Sequence, residues 1–271
     1  MKFFQNSFEN MTIQFHKYQG TGNDFIILDN RKLEFALSEE QVRRLCDRRF
    51  GIGADGLMML QERKGWDFEM RYFNSDGREG SMCGNGARCL VKFVYLLGLH
   101  KSSYRFWAAD GEHEAEIDTD GTVSLKMKNV TAVRKFHNDF VLDTGSPHYV
   151  KMVTGVMDLD VYKKGHEIRY SREFSEAGIN VNFVEQTDEV DRIVVRTYER
   201  GVENETWSCG TGVTAAALIC YHNENGFNEV EVKTLGGKLT VEFDRIDEDR
   251  FENIWLCGPA EKVFEGTIEL R

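Results

Sequence analysis

The sequence lacks any excess of basic residues: 34 Lys and Arg stand against 45 Asp and Glu, a formal charge of −11. That balance argues against nucleic acid or an anionic membrane surface as partner, while leaving room for a local basic pocket. Long apolar runs are missing too. The first ten residues, MKFFQNSFEN, carry one Lys and then polar residues rather than a secretory signal, and no apolar stretch approaches spanning length. A soluble cytoplasmic protein is expected. Strand-like alternation begins after Met11, with Ile13 and Phe15, so residues 1–10 read as an N-terminal extension on which no function is built. The six cysteines, Cys46, Cys83, Cys89, Cys209, Cys220 and Cys257, contain no CxxC pair. Neither a zinc knuckle nor a small disulfide framework is therefore indicated, and free thiols with no bound metal are expected. The Gly-rich loops have neither GxGxxG spacing nor the Lys and Ser/Thr that complete a phosphate loop, which argues against nucleotide binding.

With 271 residues, 41% of them hydrophobic, the chain can bury an ordinary core in one large domain or two small ones. An internal echo favours two. ThrGlyAsn at 21 to 23 returns as ThrGlySer at 144 to 146, GlyIleGly at 51 to 53 as GlyIleAsn at 178 to 180, and CysGlyAsnGly at 83 to 86 as CysGlyThrGly at 209 to 212. The last offset, 126, also sets Tyr95 on Tyr221 and Gly111 on Gly237. Matches of this kind in a common order point to duplication, with two similar domains that each fall within the usual size range.

Local patterns agree between the halves. Residues 68–73 and 192–198 alternate apolar with polar side chains, as half-buried strands do, and each leads toward a CysGly turn. AspGly at 120 to 121 and GlyGly at 236 to 237 read as hairpin turns, so each half should carry a substantial antiparallel or mixed sheet. The segments 87–97 and 213–221 read as helices that are apolar around most of their circumference. Such a helix must be enclosed, which implies a central helix wrapped by a curved sheet, or a buried crossover helix. A more peripheral helix is expected over 39–49, opened by a capping box of Ser38 and Gln41, with Val42, Leu45 and Cys46 on its buried face. The expected fold class is α/β (α+β), two pseudo-symmetric domains, each a mostly antiparallel or mixed sheet around a central helix; two helix entrances facing one cleft between them would make a symmetric site.

On this reading Cys83 and Cys209 stand at equivalent helix N-termini, where unpaired amides and the macrodipole favour an anion. Gly84, Gly86, Gly210 and Gly212 would let the same amides approach a substrate carboxylate. Inverting a stereocentre requires removing a proton from one face of a carbon and delivering one to the other. A thiolate and a thiol on opposite faces can do this with no metal or pyridoxal phosphate. A lone Cys beside a Gly turn is more often a packed small residue, and it is the symmetry that favours chemistry here. Cys46, Cys89, Cys220 and Cys257 lie in apolar segments and are assigned to packing. A cysteine hydrolase could recruit His148 as base, but would leave the second equivalent cysteine unexplained.

Taken together, GlyThrGlyAsnAspPhe (20 to 25), GlyIleGlyAlaAspGly (51 to 56), PheAsnSerAspGly (73 to 77), CysGlyAsnGlyAlaArgCys (83 to 89), GlySerProHis (145 to 148), TyrGluArgGly (198 to 201) and TrpSerCysGlyThrGly (207 to 212) closely resemble the diaminopimelate epimerase family. The resemblance runs from Met11 nearly to the end. It implies cofactor-independent interconversion of LL- and meso-2,6-diaminopimelate for lysine and peptidoglycan precursors, with Cys83 and Cys209 as the acid/base pair. It further implies that the backbone of Gly84, Asn85, Gly210 and Thr211 receives the carboxylate at the reacting centre. Asn23 would lie near the reacting amino group, Asn74, Asn180 and Arg200 at the distal carboxylate, and Glu199 near the amines. His148 and Ser146 would be supporting residues, His148 orienting a thiol or serving structure alone. The resemblance also implies domains of 11–129 plus 262–271 and of 130–261, and a homodimer. Two departures stand out: Ser146 where many relatives have Asn, and Gly56 where some have Gln.

Three other readings stay open. A racemase of proline or hydroxyproline would lack the distal site, and a silent amino-acid-binding protein would keep the cleft without exchanging the α-proton. Thiol redox chemistry between the two cysteines would be a route of inactivation.

Overall fold

A computed structural model describes residues 11–34 and 36–270, so the extension expected at residues 1–10 lies outside the described residues. The first half runs β1 (Met11–Gly20), β2 (Asn23–Asp29), α1 (Glu39–Cys46), β3 (Gly56–Gln61), β4 (Phe68–Asn74), β5 (Glu79–Gly80), α2 (Gly84–Leu96), β6 (Ser103–Ala108), β7 (Gly111–Ile117) and β8 (Val123–Lys126). After β9 (Val133–Phe136) the order repeats: β10 (Asp139–Asp143), β11 (Pro147–Met152), α3 (Val161–Arg169), β12 (Asn180–Gln186), β13 (Arg192–Glu199), β14 (Asn204–Thr206), α4 (Gly210–Ile219), β15 (Gly226–Thr234), β16 (Gly237–Arg245) and β17 (Phe251–Gly258). The last strand, β18 (Glu261–Leu270), returns to pair with β1. No helix among the described residues is long and apolar enough to cross a membrane.

The duplication extends to the pairing of strands. In the first half β2–β3 and β4–β6 are parallel while β1–β2, β3–β4, β6–β7 and β7–β8 are antiparallel. The second half repeats this with β11–β12 and β13–β15 parallel and the other equivalents antiparallel. At the open edges β18 lies on β1 as β9 lies on β10. The sheets meet where β8 pairs with β17, so one hydrogen-bonded sheet runs through both halves. That join carries no sequence signal, because any exposed strand edge can accept another.

One pair of repeated fragments falls out of structural register. The registers set Phe25 opposite Gly56 and His148 opposite Asn180. With Thr21 matched to Thr144, Phe25 corresponds to His148, so the counterpart of Asn180 is Gly56 and not Gly53. The GlyIleGly and GlyIleAsn fragments are therefore three residues out of structural register, because the loops after α1 and α3 reach the sheet by different turns.

Both central helices are enclosed as their apolar circumference requires. Helix α2 packs on β1, β2, β3, β4, β7, β8 and β18, and α4 on β10 to β13 and β15 to β17. Ala215, Ala216 and Ala217 are wholly buried, and such short side chains let the strands close tightly around α4. Cys46, Cys89, Cys220 and Cys257 are buried, in keeping with packing. Helix α1 has the expected capping box but stops at Cys46 rather than 49. The Asp47 carboxylate accepts the Arg49 and Phe50 N–H groups at 2.7 Å, drawing them out of the helical ladder.

The halves also touch through backbone. A Cβ on Gly236 would lie 1.7 Å from the Thr21 carbonyl oxygen in the β1–β2 turn. Gly236→Ala is thus expected to push two turns apart at a cost of about 1–3 kcal/mol, read as a lower Tm. An unchanged Tm would mean that this contact contributes nothing to stability.

Candidate active site

Cys83 and Cys209 are the N-cap residues of α2 and α4, both in extended conformation, so each sulfur sits where the first amides of a helix have no carbonyl partner. The two helix entrances abut. A Cβ on Gly210 would come within 3.9 Å of both the Gly84 Cα and the Asn85 Oδ1. On the other side of α4, a Cβ on Gly212 would come within 2.3 Å of the Asn182 Oδ1, so only glycine lets this helix start so close to the sheet.

Burial pushes the Cys83 thiol up to about 11, against the Gly86 and Asn85 amides and Arg88, which pull it down, while Glu199 adds to the rise. Burial raises Cys209 further, and Glu199 again adds to the rise. Burial likewise raises the carboxyl of Glu199 itself. One carboxylate therefore faces both sulfurs, and no ion pair to it forms among the described residues. An ammonium group arriving beside Glu199 would remove the charge that opposes thiolate formation at either cysteine.

Around Cys83 the side chains form a connected set. The Sγ lies 3.6 Å from the Asn23 Oδ1, which also accepts from the Asn85 Nδ2 at 3.3 Å. Asn23 donates in turn to the Asp55 carboxylate at 2.7 Å, and Asp55 is held by Arg48. The Asn85 Nδ2 also reaches the carbonyl of Ser208, the residue before Cys209, at 3.1 Å. Asn85 thereby joins the two thiol sites through one amide.

On the other side, burial and then the nearby Arg200 charge hold the His148 imidazole down to about 3, so it is neutral. Asn182 accepts from Thr197 through its Oδ1, which turns its Nδ2 toward the His148 Nδ1 at 3.1 Å. His148 then carries its proton on Nε2 and donates to the Ser146 Oγ at 3.3 Å. Asn180 donates to the same Oγ at 2.6 Å. With two donors already on its oxygen, the Ser146 hydroxyl proton is free to point elsewhere. The structure thus joins His148 to Ser146 and Asn182, not to a thiol.

A cavity of about 650 Å³ opens here, lined by Gly84, Ser146, Asn180, Glu199, Arg200, Cys209 and Thr211 among others. The Arg200 N–H donates to the Asn180 Oδ1 at 2.8 Å and its guanidinium to the Ala177 carbonyl at 3.1 Å. Seven of the residues singled out in the sequence share this wall. Asn23, Asn74, Cys83, Asn85, His148 and Gly210 do not line it: Asn23, Cys83, Asn85 and Gly210 lie at the helix junction beside it, His148 is buried behind Ser146, and Asn74 stands at the end of β4.

Tyr72 was not foreseen. Its hydroxyl donates to the Asn74 Oδ1 at 3.0 Å, and its ring fills the space over Gly56, where a Cβ would come within 2.7 Å of it. The missing side chain at position 56 and the tyrosine at 72 are therefore one packing unit. Nothing in the alternation of β4 separates this tyrosine from any other strand aromatic. Tyr72→Phe is expected to free the Asn74 amide and raise KM about 2- to 10-fold with kcat nearly unchanged. Steady-state kinetics with an unaltered KM would show that Asn74 needs no such tether.

The sequence model described as diaminopimelate epimerase matches residues 15–133 and 140–263. A diaminopimelate epimerase of Flavobacterium psychrophilum is 48% identical over 258 residues, covering 94% of this chain and all of the relative. That of Chlorobaculum tepidum is 44% identical over 260 residues, covering 93% and 99%. Among solved structures, a phenazine biosynthesis protein of the PhzF family from Bacillus anthracis superposes with a TM-score of 0.74 at 18% identity, covering 95% of this chain and 99% of that one. At that identity the likeness bears on the fold alone.

Proposed function

Because the chain belongs to the diaminopimelate epimerase family, we propose that Cys83 and Cys209 are the acid/base pair of an isomerase interconverting LL- and meso-2,6-diaminopimelate. The observation that carries this reading is the meeting of two equivalent helix entrances, each with a cysteine as N-cap. A substrate carboxylate at the junction would accept amide hydrogen bonds from Gly84, Asn85, Gly210 and Thr211. One sulfur, as thiolate, takes the α-proton. The C–H electron pair passes into the carboxylate, where the helix-end amides hold the growing charge, and the opposite thiol gives its proton to the other face. The first sulfur ends as thiol and the second as thiolate, so the reverse reaction uses the same groups in exchanged roles.

The substrate ammonium groups are assigned to Asn23 and Glu199, and the distal carboxylate to Arg200, Asn180, Asn74 and the Ser146 hydroxyl. Ser146 is an adequate substitute for an amide here because its proton is the one left uncommitted. The same reading takes the halves to be 11–129 with 262–271, and 130–261, on the ground that β18 pairs with β1. It also takes the enzyme to work in the cytoplasm, where both thiols stay reduced as the chemistry requires. The test is to incubate the reduced protein with each isomer separately and resolve the products by chiral chromatography. Formation of meso from LL and LL from meso, with neither metal nor pyridoxal phosphate added, is expected; reduced, folded protein that interconverts neither would overturn the reading.

A further inference from the structure

Arg88, in the second turn of α2, heads the fully buried side chains in size and has no exposed surface. Its Nη2 donates to the Asn85 Oδ1 at 2.9 Å, while Nε and Nη1 have no hydrogen-bond partner among the described residues. A guanidinium keeps its proton even when buried, and a buried charge without a partner is costly. The ionisable groups that face it are three thiols: Cys89 on the same helix, Cys83 at the helix entrance, and Cys257 on β17. No carboxylate is among them. A cation left in such a place is matched when a neighbouring thiol becomes an anion, and of the three only Cys83 stands at a helix N-terminus.

The duplication supplies an internal control. The position equivalent to Arg88 is Thr214 (88 plus 126), whose hydroxyl donates to the Gly210 carbonyl at 3.0 Å. Cys209 therefore has no counterpart of the buried cation. The remaining groups around the two sulfurs do not make up the difference. Cys83 faces the Asn85 and Gly86 amides, Arg88, Glu199 on β13, Tyr72 on β4 and the thiols of Cys89 and Cys209, with the Asn23 carbonyl 3.6 Å away. Cys209 faces Glu199, the Thr211 hydroxyl, the Gly212 amide and Cys83. Glu199 opposes an anion at both sites, so the fixed charge that distinguishes them is Arg88.

We propose that Arg88 is a positioning residue of the thiol pair: its buried charge puts the resting anion on Cys83 and leaves Cys209 as the thiol. The proposal rests on the acid/base reading of the two cysteines. Arg88 also fixes the Asn85 amide, since a donor on Oδ1 turns the Nδ2 toward Asn23 and the Ser208 carbonyl. The same guanidinium thus sets both the charge at one sulfur and the tether to the segment carrying the other.

The test is alkylation of the reduced enzyme with iodoacetamide across pH, with each cysteine followed by peptide mass spectrometry. In the native protein the apparent pKa of Cys83 should fall at least about one unit below that of Cys209, a tenfold difference in thiolate fraction. Arg88→Met, which keeps the volume and removes the charge, should slow Cys83 about tenfold at neutral pH and leave Cys209 within about twofold. It should also move the rise of kcat/KM to higher pH, and Arg88→Lys should restore part of both effects. Equal apparent pKa values in the native protein, or equal slowing of both cysteines in Arg88→Met, would overturn the proposal. The native comparison decides even if the variant does not fold. If alkylation of either cysteine left turnover intact, the acid/base reading itself would fail, a separate outcome.

Discussion

Cys83→Ala and Cys209→Ala are each expected to lower the interconversion of LL- and meso-diaminopimelate by at least about 10³-fold, within the range that loss of a positioned acid or base commands. The losses should not be alike in detail. A variant with one remaining sulfur can still remove and return a proton on its own face, so it should exchange the α-proton of one isomer with solvent while producing none of the other. The two variants should act on opposite isomers. Neither cysteine side chain caps its helix with a hydrogen bond and Ala keeps the Cβ, so the folds should stand, and equal near-UV spectra would separate lost chemistry from lost structure. Retention of more than about a tenth of the native rate by either variant would remove that cysteine from the reaction.

Arg200→Ala should be the next most damaging change, through binding and not acid/base chemistry. The Arg200 guanidinium borders the cavity, makes no ion pair among the described residues, and is oriented by the Ala177 carbonyl and by Asn180 at its backbone. A forked hydrogen bond from it to the distal carboxylate would contribute about 1.5–3 kcal/mol, so kcat/KM should fall about 10- to 150-fold, mainly through KM. Arg200→Lys should recover little, because an ammonium cannot reproduce the fork. An unchanged KM in Arg200→Ala would leave the distal carboxylate to Asn74, Asn180 and Ser146, and would take Arg200 out of the site.

Much of this architecture was written in the sequence because the duplication compares the chain with itself. Two CysGlyxGly turns, each followed by an all-round apolar segment, identify both central helices and put a cysteine at each entrance. The capping box of α1 and the hairpins at 120–121 and 236–237 rest on local chemistry that short peptides display, and these elements appear where expected. What the sequence did not disclose depends on contacts between distant residues. The pairing of β8 with β17 depends on tertiary arrangement, and the GlyIle match misled because its two copies serve different turns. Tyr72 and Arg88 belong to the same class. Each looks like an ordinary strand or helix residue until the fold shows one lying over Gly56 and the other buried without a carboxylate. His148 stood in the sequence as a possible partner of a thiol, and only the orientation of Asn182 reveals that its proton goes to Ser146.

The two-sulfur account is tested most directly by where deuterium appears early in the reaction. Reduced enzyme would be given LL-diaminopimelate in deuterated water, and both isomers would be recovered before a tenth of the substrate has turned over. If one sulfur removes the proton and another, equilibrated with solvent, supplies its replacement, the new meso isomer carries deuterium at the inverted carbon while residual LL isomer stays protiated. Deuterium entering the LL isomer as fast as the meso isomer forms, or meso isomer that keeps the original proton, would point to a single base serving both faces and would contradict the account.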